Sequence, residues 1–411
     1  MIGLLLVLLP ISGLSMDLRK LDAYPGAQCL DGTPGAYYIE KSSKAGNKRW
    51  QLFFEGGGWC YNDKDCANRA LGQLGSSSDY PSTIGRQGGV ASPDCDINPT
   101  FCEYNSVYLK YCDGNSFSGA LDGSVTVKET GQELFFRGSY ILDAILEDLV
   151  ENEGMDEVEE LNLSGCSAGG LSTFLHSDHV RDKVQQLVGR PLSKYGSTPV
   201  SGFFLMNRQN VHDEFVMAEQ IKTIFSLSNA THGVHRACIE GTTDAEKKWL
   251  CNTAPEVMKY MDSPIFVLDS SFDSWQSGCI MMNKAVDYDN TPTKDMPNGN
   301  CGSADGWEEC AVAPENCGAE EIYGVVEYQG SFIRLLTGTQ GYQNDHSGAF
   351  IYECFTHCAA AGDEYASIAI NGVLMKDAVN LWWDSLGVSS TKSFLPKLYG
   401  LDSTNPNSSC Q

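Results

Sequence analysis

The run Gly165-Cys166-Ser167-Ala168-Gly169-Gly170 constrains this chain more than any other, because of what stands on either side of it. Glu160 to Ser164 reads as a short buried strand, and Ser167 onward reads as a helix through Leu175. A Gly-x-Ser-x-Gly pentapeptide between a strand and a helix is a tight turn that lifts its serine out of the backbone. Small residues at Gly165 and Gly169 permit a close backbone approach that a side chain would block. The helix N-terminus then favours negative charge beside the serine. The pentapeptide alone is common, but in this setting it predicts that Ser167 is a nucleophile.

The rest of the chain supplies elements of the same kind. Arg49 to Glu55 reads as a buried strand that runs into Gly56-Gly57-Gly58, and Ser106 to Tyr111 reads as a second strand ending at the turn Cys112-Asp113-Gly114. Ser139 to Val150 carries Ile141, Leu142, Ile145, Leu146 and Leu149 at helical spacing, with acidic residues on the opposite face. Pro264 to Asp269 and Ala349 to Tyr352 are further buried strands. Strands alternating with helices predict an α/β fold with a mostly parallel central sheet flanked by helices. The stretch 287–320, rich in Cys, Asn and Gly, reads as a disulfide-linked loop insertion. The best linker candidate, Pro191 to Pro199, is short and broken by Leu192 and Tyr195, so residues 16–411 are expected to form one domain.

Compartment and partners follow from composition. Residues 1–15 hold an apolar run ending in small residues and read as a signal peptide, too short to span a bilayer. Sixteen cysteines imply export and a disulfide framework, which fits a secreted, extracellular protein. Cys354 and Cys358 flank His357, but no tetrahedral metal-ligand set is visible, so no metal is expected. The formal net charge of −25 repels phosphates and anionic lipid, which excludes nucleic acid and anionic membrane as partners.

A serine hydroxyl needs a base to take its proton and donors that hold the developing oxyanion. Gly56-Gly57-Gly58 follows an upstream strand, where its amides and that of Ala168 could serve as those donors. In this arrangement an acid and then a histidine follow the serine along the chain. Asp269 and Asp273 both stand after the strand at 265–269, with Asp273 in the loop. His176 and His179 lie in the helix after Ser167, and His212, His232 and His235 precede the acid strand. His346 and His357 remain, with His357 at loop distance beyond its strand and held by flanking cysteines.

These segments together resemble the pectin acetylesterase / Notum family. The likeness is carried by Phe53-Phe54-Glu55-Gly56-Gly57-Gly58-Trp59-Cys60, Lys110-Tyr111-Cys112-Asp113-Gly114, Phe136-Arg137-Gly138, the elbow, Asp273-Ser274-Trp275-Gln276 and Thr356-His357-Cys358. It covers most of the mature chain and looks closer to the plant-type enzymes, although Ala359 stands where those usually carry Gln. The resemblance implies an α/β-hydrolase-type serine carboxylesterase with Ser167, Asp273 and His357 as triad and Gly57, Gly58 and Ala168 as oxyanion donors. It implies no cofactor.

The expected substrate is an O-acetylated, pectin-like cell-wall or extracellular polysaccharide. The alternatives are Notum-like removal of a fatty acyl group from a lipidated secreted protein, and an inactive binding homologue. Trp59, beside the glycine loop, is the candidate substrate-binding residue. Cys166 is expected to point into the packing beneath the turn as a reduced thiol, leaving one other cysteine unpaired. Asn229 and Asn407 are the candidate glycosylation sites, whereas the sequon at Asn162 falls inside a predicted strand.

Overall fold

The computed structural model describes residues 15–206, 215–282, 309–310 and 316–386. The leader up to Leu14, most of the insertion at 287–320 and the C-terminal tail with Asn407 lie outside those residues.

Nine strands form the main sheet: β1 (Ser15–Lys20), β2 (Ala36–Glu40), β3 (Arg49–Phe54), β4 (Thr83–Gly85), β5 (Asn105–Leu109), β6 (Glu160–Cys166), β7 (Lys194–Val200), β8 (Phe266–Ser270) and β9 (Gly348–Tyr352). Across the sheet they run β9-β8-β7-β6-β3-β5-β2-β1-β4. The stretch from β9 to β5 is parallel throughout, and β2, β1 and β4 add an antiparallel edge. Among the described residues the five longest α-helices that accompany it are α1 (Gly138–Asn152), α2 (Ala168–Val188), α3 (Val216–Leu227), α4 (Ala319–Thr337) and α5 (Met375–Ser385). None of the helices among the described residues is long and apolar enough to cross a membrane.

The parallel strands are apolar on both faces because each face is covered. Trp50, Leu52 and Phe54 of β3 enter one core with Ile141, Leu142 and Ile145 of α1 and with Leu171, Phe174 and Leu175 of α2. Phe53 points the other way, into a second core with Phe266, Leu268, Phe350 and the α5 residues Val379, Trp382 and Trp383. The sheet is thus the middle layer of three, as the alternating pattern predicts.

Pro191 to Pro199, set aside above as a linker, contains most of β7, a buried strand between β6 and β8. Its glycine has a packing reason: a Cβ on Gly196 would stand 2.8 Å from the Trp382 ring, which packs against the strand there. One expectation is corrected: Cys166 is disulfide-bonded to Cys358. A bridge across 192 residues leaves no local trace in a sequence. Among the described residues no cysteine is free, so neither Cys166 nor a second leftover thiol is available as a nucleophile.

The elbow is held by backbone-to-backbone crossing. Ser167 N–H donates to Val200 O at 3.0 Å, which docks the turn on β7. A Cβ on Gly169 would lie 2.2 Å from Phe54 O, and one on Gly165 would lie 2.4 Å from Gly169 O. Both obstacles are main chain and cannot swing away. Gly169→Ala is therefore expected to lose about 3 kcal/mol of stability, the upper end for overpacking, read as a lower urea midpoint at unchanged m-value; an unchanged midpoint would show that the crossing is looser than described.

The sequons also resolve. Asn162 is fully buried, donating to Gly196 O at 3.2 Å, and is closed to modification. Asn229 is half-buried just beyond α3, with its amide on Ala120 O at 3.3 Å.

Candidate active site

The candidate residues converge at the carboxyl ends of the parallel strands, where an open α/β sheet places its ligands. Ser167 sits between β6 and α2 with φ 62°, a conformation that non-glycine residues rarely adopt and that costs energy to hold. In the run Leu161 to Asp178 it is the one residue that is not buried. The turn therefore spends strain to present a single hydroxyl to solvent.

Gly56 to Gly58 leave the end of β3 directly beside this turn. A Cβ on Gly56 would stand 2.5 Å from Cys166 O and 3.2 Å from Ser167 Cβ. Gly57 and Gly58 take φ values of 128° and 63°, which turn the loop over the elbow in a way that a side chain would resist. Among the described residues, the amides of Gly57, Gly58 and Ala168 donate to no other protein group. Ala168 opens α2, so its N–H also carries the positive end of the helix. The loop is anchored from below by Glu55, whose carboxylate pairs with Lys110 and accepts the Tyr111 N–H at 2.8 Å. Burial pushes the Glu55 carboxyl up, and the Lys110 charge opposes that push.

Asp273 and His357 come from loops after adjacent strands. His357 Nδ1 lies 2.7 Å from Asp273 Oδ2, and Asp273 Oδ1 accepts the Gln276 N–H at 2.9 Å. Asp273 is almost fully buried, so its charge acts in a poorly screened setting. His357 Nε2 is shielded from solvent and has no hydrogen-bond partner among the described residues. An imidazole oriented at one nitrogen and uncommitted at the other has the form of a general base.

The competing candidates are placed differently. Asp269 accepts the Phe203 N–H at 3.2 Å and the Ser270 N–H at 2.9 Å, fixing the loop after β7. Its carboxyl is pushed well above the usual range by burial, and further by the neighbouring Asp273 charge. His346 stands in the turn before β9, its N–H on Asn344 Oδ1 at 3.0 Å. His176 is buried against Ser116 O at 2.9 Å, His179 faces Asp143 and His235 faces Asp178.

Trp59, Phe204 and Trp275 pack edge to face as a trio, with ring centroids 5.2 to 5.7 Å apart. Trp275 and Phe204 also flank the His357 ring at 6.0 and 6.4 Å. Phe204 escaped the sequence reading because it lies in irregular chain after β7, with no motif around it. Gln276 was visible inside Asp-Ser-Trp-Gln without a role. Its side chain accepts the Leu205 N–H at 2.9 Å and the Tyr328 hydroxyl at 3.0 Å, tying the acid loop to the segment that carries Phe204.

A mostly parallel sheet with this strand-end arrangement defines an α/β-hydrolase-type carboxylic ester hydrolase. The chain belongs to the pectinacetylesterase family, whose profile matches residues 12–393. Pectin acetylesterase 5 of Arabidopsis thaliana is 29% identical over 86% of this chain and 75% of its own length. The palmitoleoyl-protein carboxylesterase NOTUM of Homo sapiens is 32% identical over 64% of this chain and 52% of its own. The structure of the Wnt deacylase Notum from Drosophila superposes with a TM-score of 0.75 at 22% identity, covering 97% of this chain and 99% of that one, a likeness of fold.

Proposed function

We propose that this is a secreted enzyme in which Ser167, His357 and Asp273 form a catalytic triad that removes acetyl esters from a cell-wall or extracellular polysaccharide of pectin-like chemistry. His357 Nε2 takes the Ser167 proton as the hydroxyl oxygen attacks the ester carbonyl. The amides of Gly57, Gly58 and Ala168 hold the oxyanion, and the sugar alcohol leaves with the proton from His357. Water, deprotonated by the same nitrogen, then hydrolyses the acyl-serine and releases acetate. Asp273 fixes the imidazole tautomer and stabilises its protonated form.

The observation that carries the short-acyl reading is the aromatic trio. Three mutually packed rings link the glycine loop, through Trp59, to the His357 ring, through Trp275 and Phe204, and two of the three are nearly fully buried. A long chain would have to displace them. The likeness to plant pectin acetylesterases supports the same choice. The net charge of −25 favours stretches of glycan whose carboxyls are esterified or absent. The disulfides and the apolar leader support secretion.

The test is hydrolysis of p-nitrophenyl esters from C2 to C12, alongside acetate release from acetylated pectin. Activity is expected to be confined to C2–C4 with acetate released from the polymer. A preference for C8 and longer would replace this reading with fatty deacylation of a protein.

A further inference from the structure

The disulfide that corrected the reading of Cys166 joins the two residues that flank the reacting groups. Cys166 precedes Ser167, Cys358 follows His357, and their Cα atoms lie 5.9 Å apart. Among the described residues it is the one side-chain covalent bond between the elbow and the loop of the base. Resting on the triad proposed above, we infer that Cys166–Cys358 is a positioning element of the ester-hydrolysing site: it sets the base against the nucleophile, and turnover requires the bridge to be oxidised.

Regular structure does not hold His357: β9 ends at Tyr352 and the next helical turn begins at Ala359, so the histidine stands on irregular chain. That chain is held to the acid loop by the Ser274 N–H on Thr356 O at 3.3 Å and follows another disulfide-bonded cysteine, Cys354. Its bond to Asp273 fixes the ring relative to the loop after β8. It does not fix the ring relative to β6, from which Ser167 projects. The bridge closes that gap directly, one residue from each group.

The backbone beside the bridge is strained on both sides. Ser167 and Cys358 both adopt left-handed φ values, 62° and 67°, that L side chains rarely take. Cys358 N–H donates to the Ser201 hydroxyl at 3.0 Å, and Ser201, itself at φ 44°, donates its N–H to Leu268 O at 2.9 Å. Three strained non-glycine residues from three loops therefore meet around one disulfide. Strain of this kind persists where the surroundings over-determine a geometry that chemistry uses.

The bridge is also within reach of reagents, since Cys358 is only half-buried while Cys166 is buried. A dithiol delivers two electrons and two protons, yielding two protein thiols and leaving as its own cyclic disulfide. Freed of the bridge, the base loop keeps its bond to Asp273 but loses its register on the elbow. A misplacement of about 1 Å is enough to cost about 100-fold in rate.

The experiment compares wild type with Cys166→Ala/Cys358→Ala on p-nitrophenyl acetate. The double variant is expected to lose about 100-fold in kcat with KM within about threefold, while its unfolding midpoint stays above the assay temperature. In parallel, wild type is titrated with dithiothreitol without denaturant, alkylated and mapped by peptide mass. Activity is expected to follow the Cys166–Cys358 bridge and return on reoxidation; this arm decides the matter if the variant does not fold. Full kcat in a folded bridge-less variant, or in wild type with both thiols alkylated, overturns the inference while the triad stands on the Ser167→Ala comparison. A wild type inert on every ester overturns the triad and this inference together.

Discussion

Ser167→Ala is expected to lower kcat on p-nitrophenyl acetate by about 10⁵- to 10⁶-fold, about 7–8 kcal/mol of transition-state stabilisation. The size follows from what stays and what goes. The amides of Gly57, Gly58 and Ala168 still hold a carbonyl oxygen, so a residual rate of about 10³-fold over water is expected from them and from binding alone. The covalent route is gone, because no second nucleophile stands at the elbow: Cys166 is committed to its disulfide. The fold should persist. Alanine occupies the same strained backbone, and the lost oxygen belongs to a half-exposed residue. Mass spectrometry after a fluorophosphonate probe provides an independent check, with an adduct on wild type and none on the variant. A variant that hydrolyses the ester at the wild-type rate while remaining unlabelled would remove Ser167 from the mechanism.

The elbow was legible because everything that defines it is local. A strand, five residues and a helix are contiguous in sequence, and the small residues at 165 and 169 announce the crossing that the backbone makes there. The glycine loop was legible for the same reason. The candidate acid and base were only partly legible: Asp269 and Asp273 differ by four positions at one strand end, and position leaned to Asp273 and His357 without settling either. The likeness to a family chose Asp273 and His357, which lie 2.7 Å apart. Where the chain breaks local rules, the reading failed. β7 contains Gly196 and Pro199 yet lies in the middle of the sheet, because Trp382, far along the chain, covers the glycine. Cys166 looked like a small buried hydrophobe, because nothing nearby names its partner. Other motif residues proved to be structural: buried Asp113 accepts the Phe117 N–H at 3.0 Å, and its carboxylate leaves room only for glycine at 138.

The two aspartates give the sharpest separation of chemistry from architecture. Asp273→Asn is expected to lower kcat by about 10⁴-fold with the fold intact. The asparagine oxygen can still accept the Gln276 N–H, but its amide group then faces His357 Nδ1 and favours the wrong tautomer. Asp269→Asn should do the reverse. Both of its oxygens accept backbone amides, from Phe203 and Ser270, so an amide nitrogen must confront a donor and cost about 1–3 kcal/mol of stability. Its kcat should stay within about tenfold of wild type, because no bond to the base is lost. The pH dependence of that stability difference has a definite sign. Burial raises the carboxyl of Asp269 in the folded state, so its contribution is fully present below the unfolded pKa and is lost as pH rises through the folded one. Asparagine does not titrate. The stability gap between wild type and Asp269→Asn, measured by urea unfolding, should therefore narrow as pH is raised from about 4. A gap that widened over that range would mean that Asp269 is held in its charged form, and that the backbone amides around it outweigh its burial.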